Sequence, residues 1–410
     1  MRTVALDVHK RFAEVAVHEQ GEVRRLGRIE TRELRAFAES LRPDDHVVLE
    51  STSMTWAIAE LLSQHAGRVT VSNPMRTKAI ASAKVKTDKV DAKVLAQLAA
   101  ADFLPEVWAP DEQTRALRRR VSHRASLVRQ RTRLRNQVHA VLARNLVEVP
   151  ATDLFGQKGR RGLAAVELPA HEREQVESNL RLHDALEAEL KAVDGQLAQR
   201  ALADVQVRRL MTIPGVGPVT ALSLLAVIGD VARFPSSRQL VGYLGLDPRV
   251  RQSGERPART GHISRAGQAH ARGLLVEAAH SAIRTPGPLR AFHARVKARR
   301  GAQVALCATA RKLTVLSWHL LSKSEDYRYN APTIMQRKLR RLQRQAGDRG
   351  PKISLAGETK QRVLERRLLE EAERNYRDHV AERAKQGAGA ATGEATLFGP
   401  RGANDARQAQ

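Results

Sequence analysis

The sequence has one cysteine, Cys307, so an internal disulfide and a cysteine-based zinc site are excluded. Cys307 follows the apolar stretch Val304-Ala305-Leu306, and a buried, inert thiol is expected there. Aromatic residues make up only 3% of the chain, so its cores must be built from Leu, Val, Ile and Ala. No apolar run reaches the roughly 18 residues that a membrane span needs, and the N-terminus has no signal-peptide core. A soluble, cytoplasmic protein is the expectation. Acidic residues are also few: 44 Asp and Glu face 70 Lys and Arg, for a formal net charge of +26. That excess points to a polyanionic partner, with nucleic acid first and an anionic membrane surface second. What is present is a chain of 410 residues that is 42% hydrophobic, which excludes wholesale disorder and allows two or three domains.

The first hundred residues alternate between strand and helix patterns. Arg2–Val8, Phe12–His18 and Glu22–Glu30 read as three short strands, with Gly21 marking a turn. Arg32–Leu41 is helical, with Leu34, Phe37 and Leu41 on one face. His46–Leu49 reads as a buried strand, Met54–Gln64 as a helix and Arg68–Val71 as a strand stopped by Asn73-Pro74. A meander followed by alternating strands and helices is the order of an α/β RNase H-like domain. From Asp111 to about Leu146 the chain is helical and rich in arginine, including Arg118, Arg119 and Arg120. Gln157–Gly162 reads as a loop. A second long helix is expected over about His171–Leu202, where Leu186, Leu190, Val193 and Leu197 suit a coiled-coil seam, with Gly195 as an interruption. The two helices would form an antiparallel arm able to mediate dimerisation. Another domain begins near Arg208. Residues 330–410 are polar and basic, Val363–Lys385 reads as an exposed helix, and Gly387–Gln410 reads as disordered.

Four acidic residues stand out by position. Asp7 ends the first strand pattern and Glu50 the fourth, while Asp88 and Asp91 open a helix in Lys86-Thr87-Asp88-Lys89-Val90-Asp91. Residues three apart on a helix share a face, so the four carboxylates can converge. Such a cluster suits Mg²⁺, which takes hard oxygen ligands and keeps water positions for phosphate. Each residue also has a plainer reading: a solvated strand end, a helix N-cap at Asp88, a first-turn charge at Asp91.

Two further segments carry candidate chemistry. In Ile213-Pro214-Gly215-Val216-Gly217, Gly215 and Gly217 would let backbone N–H groups approach a phosphate, as in helix-hairpin-helix modules, or would simply make a tight turn. In Gly245-Leu246-Asp247-Pro248-Arg249-Val250-Arg251-Gln252-Ser253-Gly254, Ser253 lies near Arg249, Arg251 and Arg256. A serine beside cations can attack phosphorus, although Ser-Gly pairs are more often turns. Ser264 competes with it, though its place before a helix suits an N-cap.

Together these words and their order resemble the DEDD transposases of the insertion-sequence-110 type, over roughly residues 1–325. The resemblance implies a RuvC-like domain at 1–105 with Asp7, Glu50, Asp88 and Asp91 holding Mg²⁺. It implies an α-helical coiled-coil linker at 106–207 and a mainly α-helical transposase domain at 208–325, leaving 326–410 as a basic, partly disordered extension. It places the family's serine nucleophile on Ser253, which would form a phosphoserine link to DNA in a centre composed from different protomers. Donor and target DNA, a guiding bridge RNA and a homodimer or homotetramer are the implied partners, in a bacterial cytoplasm at the nucleoid. Gly215, Gly217, Arg249, Arg251, Arg118, Arg119 and Arg120 are the expected nucleic-acid contacts. The rivals are a RuvC-like nuclease that uses activated water and an inactive nucleic-acid-binding protein.

Overall fold

The computed structural model describes residues 2–80, 87–254, 257–348 and 358–385. Segment 387–410, Lys86 and Arg256 therefore lie outside the described residues. The chain divides into two compact units, one up to Asp111 and one from Glu112 onward.

The first unit is built on a mixed sheet. Its strands are β1 (Thr3–Val8), β2 (Phe12–Glu19), β3 (Glu22–Glu30), β4 (His46–Glu50) and β5 (Arg68–Ser72), in the order β3-β2-β1-β4-β5. β1, β2 and β3 form an antiparallel meander, and β4 and β5 continue in parallel from β1. The helices are α1 (Leu34–Glu39), α2 (Thr55–Leu62), α3 (Pro74–Ile80) and α4 (Asp88–Ala100). Strand alternation sorts the side chains onto two faces. Val4, Leu6, Val15, Val17, Val47 and Leu49 meet Leu34, Ile58 and Leu62 of α1 and α2. On the other face Ala5, Ala16 and Val48 are small enough for α4 to close down through Ala92, Leu95, Ala96 and Ala99. This mixed sheet with flanking helices is consistent with an RNase H-like domain.

The second unit is mostly helical: α5 (Glu112–Arg144), α6 (Gln157–Ala165), α7 (Ala170–Ala203), α8 (Val205–Met211), α9 (Pro218–Ile228), α10 (Ser237–Tyr243), α11 (Ala269–Ala282), α12 (Pro288–Arg300), α13 (Ala302–Lys323), α14 (Pro332–Gln345) and α15 (Glu358–Lys385). A short hairpin, β6 (Pro248–Arg251) with β7 (Arg259–Ile263), stands between α10 and α11. α5 and α7 run antiparallel, because Arg124 pairs with Asp194, Arg131 with Glu187 and Arg144 with Glu172. The heptad-like Leu190, Val193 and Leu197 pack in one core with Leu117 and Val121 of α5 and with α8–α13. The seam is thus satisfied within the chain, and the linker helices share a core with the segment after Arg208.

The structure differs from the sequence expectation at four places in this unit. Gln157–Gly162 is not a loop but the start of α6. Its glycines read as a loop, yet Gly159 lies against the main chain of Asp153 and Leu154, and Leu163 is buried. Cys307 is half-buried rather than buried, because it lies on the flank of α13 beside exposed Val304, while Ala305 and Leu306 face the core. The extension after 326 is in part built into the fold: Tyr327, Leu342 of α14 and Tyr376 of α15 belong to the main core. α15 is accordingly not an exposed helix throughout. It buries Leu369 and Tyr376 and exposes Val363, Leu364 and Leu368.

Candidate active site

Two carboxylates, Asp7 and Glu50, stand where β1 and β4 end. Asp7 shares its face of the sheet with Ala5, and Glu50 shares the same face with Val48, so both lie on the side that α4 covers. β1 and β4 are parallel neighbours paired at Leu6 and Leu49, one residue before each acid. The loop after Glu50 is held by buried Thr55, whose hydroxyl donates to the carbonyls of Glu50 at 3.2 Å and Thr52 at 3.0 Å. α4 brings the other two acids in its first turn. Asp88 is not the N-cap. Thr87 fills that role by accepting from the Val90 N–H at 3.4 Å, which leaves the Asp88 carboxylate for other contacts.

The nearest convergence is of Asp7, His9 and Asp88, each offering one ligand atom within 4.8 Å of the others. His9 Nε2 lies 3.2 Å from Asp7 Oδ2 and 3.4 Å from Asp88 Oδ2. The imidazole is fixed by a tight turn, His9 N–H to Phe12 carbonyl at 2.8 Å, and by stacking on the Phe12 ring at 4.7 Å. Sequence reasoning assigned His9 no role. No local pattern marks it, because β1 ends at Val8 and His9 lies in the turn that follows. A fifth carboxylate, Glu14, is the cross-strand partner of Asp7. It is taken up by Arg25 at 2.9 Å and Arg28 at 3.3 Å, so the sheet neutralises it. Burial works to raise its pKa, but these two arginines hold it below the usual carboxylate value.

Asp7 is in the opposite situation. Burial raises its pKa, His9 opposes the rise, and the charges of Asp88 and Asp91 add to it. A desolvated carboxylate facing two more is costly unless a cation joins them. The donor set, two Asp oxygens and an imidazole, fits a divalent metal. Without added metal, Asp7→Asn should therefore melt at a higher temperature than wild type. Divalent metal at a hundredfold excess over Kd should stabilise the wild type by about 2.7 kcal/mol, read as a higher Tm, and should move the variant little. A metal-free wild type at least as stable as the variant would contradict this electrostatic picture.

In the second unit Ser253 is exposed, just after β6, and Gly254 follows with φ +59°. Arg249 and Arg251 precede it on β6 and are also exposed, and Arg249 donates to the Ser264 carbonyl at 3.1 Å. Ser264 is not the N-cap of α11, which is Gln268. The Ser264 hydroxyl donates to Asp247 Oδ1 at 2.6 Å and so braces the base of the hairpin.

α8, the glycine turn and α9 form a helix-turn-helix unit. Gly215 has φ +81°, and a Cβ there would strike the main chain of α11 at Ala278 and Ala282. Its glycine is accounted for by packing. Gly217 meets nothing and is open. Arg118, expected to touch nucleic acid, instead donates to the carbonyls of Ala226 at 2.6 Å and Val227 at 3.3 Å, near the carboxyl end of α9. Arg119 and Arg120 are exposed. Sequence reasoning missed Lys338 of α14, whose ammonium donates to the carbonyls of Met211 at 2.6 Å, Ile213 at 3.2 Å and Val216 at 2.8 Å. Lys338→Met leaves these acceptors unsatisfied and should destabilise the chain by about 1–3 kcal/mol, read as a lower Tm. Burial lowers the Lys338 pKa from 10.5 to about 8. Between those values the unfolded chain binds a proton that the folded chain has shed. Wild-type stability relative to Lys338→Met should therefore rise across that window. A flat difference would contradict it.

A mixed sheet with acids and a histidine at its strand ends, joined in one chain to a basic helical unit, has the make-up of a metal-dependent enzyme acting on nucleic acid. Comparison with known proteins names the class. A family model described as a transposase, of the IS110 DEDD type, matches residues 4–145, and one described as "Transposase IS116/IS110/IS902 family" matches residues 207–294. A putative transposase, y4qE, of Sinorhizobium fredii is 31% identical over 67% of this chain and 70% of its own. The transposase for insertion sequence element IS1111A of Coxiella burnetii is 30% identical over 60% of this chain and 69% of its own. A pilin gene-inverting protein of Moraxella lacunata is 28% identical over 56% of this chain and 65% of its own. The chain belongs to the IS110/IS116 family of DNA transposases.

Proposed function

We propose that this transposase is a Mg²⁺-dependent recombinase that cuts and rejoins donor and target DNA through a phosphoserine at Ser253. The observation that carries the reading is the convergence of Asp7, His9 and Asp88, with the charge of Asp91 acting on Asp7. Asp7, Glu50, Asp88 and Asp91 are the metal ligands in this reading, on a RuvC-like domain, and His9 steadies Asp7 and Asp88. Mg²⁺ bound there would polarise a phosphate and stabilise charge on the attacking and leaving oxygens. The Ser253 hydroxyl attacks phosphorus, a new Oγ–P bond forms, and the leaving sugar oxygen departs with a proton. Arg249 and Arg251 stabilise the phosphate charge. Arg119, Arg120 and Gly217 contact the DNA or RNA backbone. The similarity to a pilin gene-inverting protein supports rejoining rather than cutting alone. Base pairing with a structured RNA chooses the sites, and a homodimer or homotetramer acts at the nucleoid.

The test is incubation of the full chain with Mg²⁺ and labelled DNA spanning the element junction, with and without RNA transcribed from the element flanks. A covalent protein–DNA band on a denaturing gel that requires both Mg²⁺ and the RNA is expected. Cut DNA without such a band would put a nuclease using activated water in its place.

A further inference from the structure

The segment after residue 326 is absorbed by neither the metal site nor the serine hairpin, yet it shapes a charged surface. α14 lies along α7, where Gly195 leaves room for the main chain of Gln345, and the Gln199 amide donates to the Ala346 carbonyl at 3.4 Å. Lys338 ties the same helix to the glycine turn before α9. Between α5, α7 and α14 this leaves a cleft of about 700 Å³. Its two carboxylates, Asp194 and Glu187, are already paired with Arg124 and Arg131. Lys191, Arg341 and Arg344 are then the cationic excess of the cleft, and all three are exposed. Arg341 and Arg344 stand one turn apart and share a face of α14. A second cleft of about 300 Å³, which shares Arg124, Asp194 and Arg341 with the first, continues to the residues Gly217–Thr220 at the start of α9.

We propose that this cleft binds the phosphodiester backbone of a nucleic acid, with Arg341, Arg344 and Lys191 as contacts, and that α14 is thereby a second nucleic-acid-binding element. A concave surface with one sign of charge in excess concentrates polyanions. Guanidinium groups match phosphate bidentately. Two clefts in series, open to solvent along a helix, suit a repeating backbone charge better than a single small anion. The chemistry is shared by DNA and RNA. The proposal rests on the reading of the chain as a DNA-acting recombinase, but its test reads binding rather than cutting.

Fluorescence anisotropy would follow the full chain binding a labelled DNA duplex and, separately, a labelled single-stranded RNA across a series of salt concentrations. Arg341→Glu/Arg344→Glu should lower affinity about tenfold or more at 0.1 M salt, and should reduce the log–log salt slope by about 2 for duplex DNA or about 1.4 for single-stranded RNA. The nucleic acid that shows the larger loss is the occupant. Arg341→Gln/Arg344→Gln should show a smaller loss in the same direction. Arg367→Glu/Arg374→Glu, an equal charge change at exposed positions of α15, should leave the slope close to wild type. If the cleft double variants match wild type on both nucleic acids, or if the α15 control loses as much, the cleft is not a binding element. If wild type binds neither nucleic acid, both the proposal and the reading beneath it fail.

Discussion

Ser253→Ala should abolish covalent joining of the protein to DNA, by about 10⁴-fold or more, while DNA affinity stays close to wild type. Ser253 is exposed just after the first strand of a two-stranded hairpin, so its replacement removes the proposed nucleophile and no packing. Ser264 offers no substitute. Its hydroxyl is engaged with Asp247 at 2.6 Å and is half-buried at the base of the same hairpin. Ser264→Ala should therefore weaken the hairpin and lower Tm modestly, with covalent joining retained. Quantifying the adduct on denaturing gels, with anisotropy for DNA affinity, separates the two serines. Adduct that survives in Ser253→Ala and vanishes in Ser264→Ala would exchange their roles.

Asp88→Ala should reduce strand cleavage by two orders of magnitude or more and weaken divalent-metal binding, measured by calorimetry on the full chain. Asp88 is well suited to this test because it carries no structural duty in the helix start. Thr87 supplies the cap, and Ala92, Leu95, Ala96 and Ala99 hold α4 to the sheet. A loss of cleavage in Asp88→Ala is thus a loss at the site, which a melting temperature no lower than that of wild type would verify. Asp7 is the harsher change, since it lies deeper and its carboxyl is already raised by burial. Wild-type cleavage by Asp88→Ala at saturating metal would remove α4 from the site.

Much of the first unit was legible in the sequence because its signals are local. Alternation in Phe12–Glu19, the apolar run before Glu50 and the three-residue spacing of Asp88 and Asp91 each fix an element and a face. His9 and Glu14 were not legible as site neighbours. His9 reads as a turn residue until the turn's geometry is known, and Glu14 meets Asp7 only through the β1–β2 register. Glycine was ambiguous. In α6 it marks close contact inside a helix rather than a loop, and at Gly215 it makes the tight turn against α11 that was one of its two readings. Arginine was equally ambiguous. Arg118 looks like its neighbours Arg119 and Arg120, but helix periodicity turns it toward α9, where it completes carbonyls. The extension matched no pattern because α14 is held by tertiary contacts, through Lys338 and Leu342, and not by a motif.

The central claim is that Ser253 carries the DNA strand during exchange. The most direct test is mass spectrometry of protease digests from the covalent protein–DNA complex after nuclease trimming. The expected result is a nucleotide phosphate on the peptide containing Ser253, absent when Asp7 is replaced by alanine. A nucleotide on any other residue, or DNA cut to free ends with the Ser253 peptide unmodified, would contradict it.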